Sequence, residues 1–259
     1  MASGREAAFC GIAVMAKASH PGRTKTRLSP PLTPDEAAEC NTAFLKDIAS
    51  NLMAAASVAS IAPSMAFGPP GSEPFFRHHL PEAIGLYEVW HPDFGLCLKE
   101  AMRLQFEAGH SAACVLNSDS PTLPVALLVH MVLLLQQPGD RAVLGPSTDG
   151  GYYLLACKTL HPRLFEDVAW STEAVAAQTL ERAAEIGLPV HILPHWYDVD
   201  DCEAIKLLMG ELFEGRRFSP GLLSSPAPHS RALLKSMAAS AGLWGRLGYG
   251  AEELGEAAA

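Results

Sequence analysis

The stretch FCGIAVMAKASHPGRTKTRLSPPLTPDE, residues 9–36, holds the first strand, loop and helix that the sequence predicts. Residues 9–16 are almost all apolar, which is the pattern of a central strand covered on both faces. A loop rich in turn-forming residues follows. TPDE, at residues 33–36, is then a capping box with proline at the first helical position, and it predicts the start of a helix. This order indicates an α/β fold.

The same alternation continues along the chain. Apolar segments predict strands near residues 60–67 and 85–90, in SAACVL, in the two halves of RAVLGPSTDGGYYLLACK and in LPVHIL. Helices are predicted over about residues 94–107, after SPTLP, from a cap at Ser171 to Gly187, and from near Asp200. The pattern predicts a single-domain, three-layer α/β/α sandwich with a mostly parallel sheet. Ligands of such sheets bind beyond the carboxyl ends of the strands.

The chain is acidic overall, but its first loop is basic. The 259 residues include 19 Lys and Arg against 28 Asp and Glu, a formal net charge of −9. This balance argues against nucleic acid as a partner. Four cations, Lys17, Arg23, Lys25 and Arg27, nevertheless crowd the loop that follows the first strand. They predict local phosphate recognition, and a merely solvated loop is the weaker alternative.

Cysteine usage and hydropathy predict a cytoplasmic protein. The 6 cysteines form no CxxC pair, and most lie in apolar runs, as expected of buried thiols in a reducing compartment. The longest apolar run, residues 125–135, is too short for a membrane span. Arg5 and the apolar residues after it loosely imitate a secretory signal, but the strand, loop and helix that continue from them favour a buried strand.

Acidic residues follow several of the predicted strands. Asp119 lies in NSDSP, Asp149 in STDGGYY, and Asp198, Asp200 and Asp201 in YDVDD. Carboxylates that meet at one rim repel one another unless a cation joins them, and Mg²⁺ or Mn²⁺ next to a basic loop is typical of a diphosphate site. All of these residues except Asp198 also have a plainer interpretation, which is a helix cap for Asp119 and for Asp200 or Asp201, and a hairpin turn for Asp149.

Three widespread motifs are absent from the sequence. It contains no Gly-x-Ser-x-Gly elbow, no Walker loop and no GxGxxG. A hydrolase triad, a P-loop ATPase and a dinucleotide-dependent dehydrogenase are therefore disfavoured.

Five ordered motifs carry a resemblance to a known family. They are VMAKASHPGRTKTRL, LNSDSPTLP, LGPSTDGGYYLL, VAWSTEAVAAQTL and YDVDD, and the likeness that they carry covers roughly residues 11–208. Together they resemble an uncharacterised bacterial family of glycosyltransferase-A-like (GT-A) proteins, to which nucleotide-diphospho-sugar transfer is ascribed. The resemblance implies a nucleotide-diphospho-sugar transferase-like domain at residues 8–214. Residues 215–259 are then expected to be a C-terminal extension packed on the domain, with a frayed tail.

The resemblance also implies roles for particular residues. Catalytic roles fall to Asp149 as a base and to Lys25 and Arg27. The metal ligands are expected at Asp119, Asp200 and Asp198, although Asn117 replaces the first acid of an Asp-x-Asp type motif. The nucleotide is expected to contact the first loop and the turn after the fourth strand, at Ala16, Lys17, Gly22, Arg23, Lys25, Thr26, Arg27, Asn117 and Ser118.

The preferred hypothesis is a metal-dependent glycosyltransferase. It would use a nucleoside-diphosphate sugar, Mg²⁺ or Mn²⁺ and a small-molecule acceptor that the sequence does not identify, and it is compatible with a homodimer. A nucleotidylyltransferase that joins a nucleoside triphosphate to a phosphorylated molecule is the alternative, because GRTKTRL carries more cations than a diphosphate requires. A non-catalytic nucleotide-binding protein is the third hypothesis, suggested by Asn117.

Overall fold

Seven strands form one sheet in the order β3-β2-β1-β4-β6-β5-β7. The structure is a computed structural model that describes residues 9–240 and 242–248. The strands are β1 (Cys10–Lys17), β2 (Ile61–Gly68), β3 (Gly85–Glu88), β4 (Ala112–Leu116), β5 (Ala142–Pro146), β6 (Tyr152–Cys157) and β7 (Val190–Ile192). β6 runs antiparallel to both of its neighbours, and the other pairings are parallel. The predicted hairpin and the mostly parallel sheet are confirmed.

Helices cover both faces of the sheet. They are α1 (Pro34–Ala56), α2 (Glu73–His79), α3 (Phe94–Glu107), α4 (Val125–Gln136), α5 (Val175–Glu185), α6 (Cys202–Phe213), α7 (Pro228–Ser240) and α8 (Leu243–Arg246), with short 3₁₀ helices at Thr26–Leu28 and Pro162–Phe165. Ile12 and Val14 of β1 pack in the core beneath α1, α4, α6 and α7, whereas Ala13 faces the core beneath α3 and α5. The three-layer α/β/α sandwich is therefore confirmed. None of the described helices is both long and apolar enough to cross a membrane.

The capping box at the start of α1 has the predicted geometry. The side chain of Thr33 accepts a hydrogen bond from the backbone N–H of Glu36, and the Glu36 carboxylate accepts one from the backbone N–H of Thr33. Pro34 occupies the first turn. This start directs α1 back along the sheet and fixes the end of the basic loop.

The predicted helix cap at Ser171 is wrong. α5 begins at Val175, and Ser171 has a backbone φ of 66°, a left-handed conformation that non-glycine residues rarely adopt. The N–H of Ala176 in the first turn donates to the carbonyl of Gly150, in the turn between β5 and β6. This long-range contact fixes the start of the helix, so Ser171 lies in the loop before it.

The C-terminal helix α7 is joined to α1 through a buried carboxylate. Asp47 is fully buried and accepts hydrogen bonds from the backbone N–H groups of His229 and Ser230 and from the Ser230 hydroxyl, at 2.9, 2.8 and 2.5 Å. Burial raises the pKa of Asp47 in spite of these donors. The boundary at residue 215 stays a prediction, and the last part of the extension, residues 249–259, where the frayed tail is expected, lies outside the described residues.

Asp47→Ala is expected to lower the free energy of unfolding by about 2 kcal/mol, because the substitution leaves buried donors at the start of α7 without an acceptor. Urea denaturation measures the effect. Asp35→Ala removes an exposed carboxylate from the first turn of the same helix, α1, and should cost only a few tenths of a kcal/mol. Equal losses in the two variants would contradict the buried cap.

Candidate functional site

A cleft of about 690 Å³ opens at the carboxyl ends of β1, β2, β3 and β4. Ligands of mostly parallel sheets are expected to bind at this edge. The basic loop and the turn after β4 form much of its wall. Of the predicted site residues, those that line the cleft are Ala16, Lys17, Arg23, Lys25, Thr26, Arg27, Asn117, Ser118, Asp119 and Asp200. Gly22, Asp149 and Asp198 are not part of this lining.

Lys25 lies at the centre of the polar wall. Its ammonium Nζ is 2.8 Å from Asp119 Oδ1 and 2.6 Å from Asp200 Oδ1, and it also donates to the carbonyl of Val199 at 2.9 Å. The side chain is only 6% exposed. Arg27 donates to the other carboxylate oxygen of Asp200. A buried cation therefore joins the two carboxylates that the sequence predicts as metal ligands.

The pKa shifts agree with this pairing. Burial by itself would lower the pKa of Lys25, but the charges of Asp119 and Asp200 outweigh burial and raise it. Burial likewise would raise the pKa of Asp200, but Lys25 and Arg27 hold that pKa below its usual value. Both shifts favour the charged forms, so the pair remains ionised at neutral pH.

Local contacts hold the basic loop in this position. The hydroxyl of Thr24 donates to the carbonyl of His20 and accepts from the N–H of the same residue. Leu28, at the end of the short 3₁₀ helix, is fully buried and anchors the loop in the core. Between these anchors, Lys25 adopts a left-handed backbone conformation with φ of 53°, and its side chain extends to the carboxylates. Such backbone strain is often found at functional sites.

Two cations of the cleft differ from Lys25 and Arg27. Lys17 and Arg23 are exposed, and neither forms a salt bridge within the described residues, 9–240 and 242–248. They extend from the same wall as the paired cations. Positive charge without a protein counter-ion is therefore concentrated on these two side chains.

Hydrogen bonds connect the turn after β4 to the segment that carries Asp200. The backbone N–H of Val199 donates to the carbonyl of Asp119 at 2.8 Å, and the hydroxyl of Ser120 donates to the carbonyl of Tyr197 at 2.8 Å. Asn117 donates its amide N–H to Ser120, and its buried Oδ1 has no partner among the described residues. Asn117 therefore keeps a buried acceptor without a donor beside the cleft.

Asp149 and Asp198 lie away from the cleft lining. Asp149 is exposed in the turn between β5 and β6, where its Oδ1 accepts from the N–H of Gly151 at 2.8 Å, so the alternative interpretation as a hairpin turn describes its position. Asp198 accepts from the Ser147 hydroxyl at 2.7 Å. Burial, followed by the charges of Asp149 and Asp200, raises the pKa of Asp198. Asp201 caps α6, as one of the sequence alternatives predicted.

Aromatic residues that the sequence prediction left out of the site also line the cleft. Trp90 follows β3 and Phe94 begins α3. Tyr152, the first residue of β6, has a buried hydroxyl without a partner among the described residues. Ser171, in its left-handed conformation, lies in the wall as well. Asp119 was predicted as a site residue because it follows the end of a strand. The same position in the sequence pattern applies to Trp90, which closely follows the end of β3.

The carboxylates suit Mg²⁺ or Mn²⁺ only as part of a larger site. No group of three or more His, Cys, Asp or Glu side chains in the described part of the chain is arranged to hold a metal ion. However, Mg²⁺ is usually bound by one or two carboxylates together with substrate phosphates and water. Asp119 and Asp200 both contact one point, Lys25 Nζ, and they fit this donor set when a phosphate ligand completes it.

The family and fold comparisons agree with the motifs. Residues 51–172 match a family described as "Uncharacterized protein conserved in bacteria (DUF2064)". A crystal structure of a "putative nucleotide-diphospho-sugar transferase" from Desulfovibrio desulfuricans G20 is 27% identical, with a TM-score of 0.75, and the match covers 90% of this chain and 96% of that one. No curated protein matches the chain.

Two further structures are more distant. CMP:2-keto-3-deoxy-manno-octonic acid synthetase complexed with CTP is 14% identical, with a TM-score of 0.49, and the match covers 78% of this chain and 98% of that one. A cytidylyltransferase from Leptospira borgpetersenii is 10% identical, with a TM-score of 0.49 and coverage of 91% and 96%. Neither similarity is close enough to support an argument about this chain. The resemblance carried by the five motifs is nevertheless confirmed: the chain matches the DUF2064 bacterial family over residues 51–172, and its fold is of the nucleotide-diphospho-sugar transferase type.

Proposed function

We propose that the chain is a metal-dependent glycosyltransferase that uses a nucleoside-diphosphate sugar. The observation that carries this proposal is the division of the cleft cations into two pairs. Lys25 and Arg27 are neutralised by Asp119 and Asp200, whereas Lys17 and Arg23 have no acidic partner within the described residues. The description of the relative from Desulfovibrio desulfuricans as a nucleotide-diphospho-sugar transferase agrees with this reading.

The unpaired cations suit a diphosphate. Lys17 and Arg23 together match the charge that a diphosphate carries between its two esterified ends. The divalent ion of the proposed site adds two further positive charges, which would balance a triphosphate as well. The charge count is therefore compatible with both reactions, and the description of the relative from Desulfovibrio desulfuricans supports sugar transfer.

Asp119 and Asp200 are the proposed ligands for Mg²⁺ or Mn²⁺. The ion would neutralise charge on the departing nucleoside diphosphate. Lys17 and Arg23 would bind the diphosphate oxygens and stabilise the negative charge that develops on them, while Lys25 and Arg27 stay paired with the carboxylates. Asp149 is not included as the base in this proposal, because it lies in the hairpin turn and outside the cleft lining.

Nucleotidylyl transfer remains a second candidate because of one contact. Lys25 Nζ lies at the point where both carboxylates converge, and in this alternative the metal ion would take that position and displace it. The displaced Lys25, with Arg27, would then join Lys17 and Arg23 on the phosphates. Four cations suit a triphosphate, so ligand preference separates the two reactions.

A ligand panel tests the proposal. Thermal shifts should be measured with nucleoside-diphosphate sugars and with nucleoside triphosphates, each with and without Mn²⁺. A nucleotide sugar at 100 times its Kd should stabilise the protein by about 2.7 kcal/mol. We expect this stabilisation to require Mn²⁺ and to exceed that given by any triphosphate. Stronger binding of triphosphates would favour nucleotidylyl transfer. Binding that is the same with and without Mn²⁺ would favour a non-catalytic role.

Asp119→Ala is expected to remove the Mn²⁺-dependent part of nucleotide affinity, a loss of about tenfold or more, because one of two proposed carboxylate ligands is gone. Asp149→Ala is the matched control, since it removes a carboxylate that lies near the site but outside the cleft lining. Isothermal titration with and without Mn²⁺ measures both. If Asp119→Ala keeps the affinity and metal dependence of wild type, the metal assignment is wrong.

A further inference from the structure

Trp90 presents an unusually exposed ring to the cleft. It lies two residues after the end of β3, lines the cleft, and is 49% exposed. Large aromatic side chains on strand ends are normally packed, so a half-exposed indole at a cleft wall is an informative exception. Its surface is available for a ligand.

The buried side of the indole rests on Gly68. A Cβ atom at Gly68, the last residue of β2, would lie 2.2 Å from Cε3, 2.8 Å from Cζ3 and 3.2 Å from Cδ2 of Trp90. The six-membered ring thus occupies the space where any other residue would carry its side chain. Because the backbone supports one side of the ring, the exposed side is held in a fixed position.

The supported indole lies beside the unpaired cations. Gly68 is the register partner of Lys17 in the parallel pairing of β1 with β2, and the N–H of Ala18 donates to the carbonyl of Gly68 at 3.1 Å. Because the ring occupies the side-chain position of Gly68, it lies one strand spacing of about 4.8 Å from the backbone of Lys17. The long Lys17 side chain begins beside the ring, so a base on the indole and a phosphate on the ammonium can belong to one nucleotide.

The polar groups change in a fixed order along the strand ends. The order from β3 to β4 is the indole of Trp90, the backbone of Gly68, the cation Lys17 and the carboxylate Asp119. A nucleotide presents a planar base, a ribose and its phosphates in that sequence. The order of groups along the cleft matches the base and phosphate parts of such a ligand.

We propose that Trp90 is the stacking platform for the nucleobase and that the base binds at the β3 end of the cleft. This inference rests on the proposed function, because it assumes a nucleotide ligand. Stacking recognises any base through its π-face, so Trp90 supplies affinity for nucleosides over inorganic phosphates. The phosphate contacts at Lys17 and Arg23 are independent of it.

The test compares a nucleotide with a ligand that has the same phosphates but no base. Isothermal titration in the presence of Mn²⁺ should be run with UDP, CDP, GDP, ADP and inorganic pyrophosphate on wild type, Trp90→Leu and Trp90→Phe. Trp90→Leu is expected to weaken the tightest nucleoside diphosphate by about tenfold or more and to leave pyrophosphate unchanged. Trp90→Phe keeps a ring and should recover most of the affinity.

The outcomes separate this inference from the proposed function. The stacking platform is wrong if Trp90→Leu binds nucleoside diphosphates like wild type. It is also wrong if the variant loses affinity for pyrophosphate as much as for nucleoside diphosphates. In both cases the proposal of nucleotide binding stands. If wild type binds pyrophosphate and no nucleoside diphosphate, both proposals are wrong. If Trp90→Leu shows the base-specific loss of affinity but wild type prefers triphosphates to nucleotide sugars, the stacking platform stands and the glycosyltransferase proposal is wrong.

Discussion

Replacing Lys25 with methionine is expected to lower the free energy of unfolding by about 3 kcal/mol at neutral pH. The buried ammonium lies between Asp119 and Asp200, within 2.8 Å of an oxygen of each. Methionine fills much of the same volume but leaves the two carboxylates facing each other, with only Arg27 on Asp200. Urea denaturation of both proteins measures the loss. Lys235→Met removes an exposed lysine from α7 and should change stability little.

The pH dependence identifies the cause of this loss. An acid whose pKa is lower in the folded state contributes stability above its unfolded pKa, and that stability disappears as the pH falls through the folded pKa. Asp200 is such an acid, and Lys25 is a main reason. The difference between wild type and Lys25→Met should therefore narrow below about pH 4, where carboxylates become protonated. A difference that stays constant from neutral to acidic pH would show that lost packing, and not lost charge pairing, causes the destabilisation.

The double variant Lys17→Ala, Arg23→Ala is expected to weaken nucleoside diphosphate binding by about 100-fold, since each charge-assisted contact contributes about a factor of ten or more. These two cations line the cleft without a salt-bridge partner in the described residues, so a ligand does not need to break an existing pair to reach them. Titration calorimetry at two ionic strengths measures the effect. Wild-type affinity should fall with added salt, and the affinity of the variant should depend on salt much less.

A matched control separates local contacts from overall charge. Arg77→Ala, Lys235→Ala removes the same amount of charge from the exposed surfaces of α2 and α7, outside the cleft lining. This variant should bind nucleotide like wild type. If both double variants lose the same affinity, the loss reflects the net charge of the protein, and the assignment of Lys17 and Arg23 to the phosphates is wrong.

Local sequence patterns were sufficient to predict most of the fold. The apolar run of β1, the capping box of α1 and the paired apolar segments of the β5–β6 hairpin each identify an element from neighbouring residues alone. The start of α5 could not be found in this way. The N–H of Ala176 is satisfied by the carbonyl of Gly150, and no local pattern near Ser171 indicates a partner so distant in the chain. α2 was missed because EPFFRHH is too short to show a helical period.

The rule that ligands bind beyond the carboxyl ends of the strands identified loops that do meet at one site. It could not predict which charged residues of these loops pair with each other. Lys25 and Asp200 are separated by 175 positions, and only the folded chain shows that they pair while Lys17 stays unpaired. Residue type was equally ambiguous at Asp149, where a carboxylate in a glycine turn suits either a base or the turn itself. Trp90 was not predicted as a site residue for a different reason, because its proposed role depends on the absence of a side chain at Gly68, on another strand.

The contact between Trp90 and Gly68 has a consequence for how ligand preference could evolve or be engineered. A methyl group at position 68 would leave the indole in the sequence but displace it from its support, since Cε3 lies 2.2 Å from the Cβ position. Small side chains at this backbone position could tilt or shift the ring by different amounts. Substitutions at a residue that presents only backbone to the cleft could then change which ligands the protein prefers. Every side chain that contacts the nucleotide would stay the same.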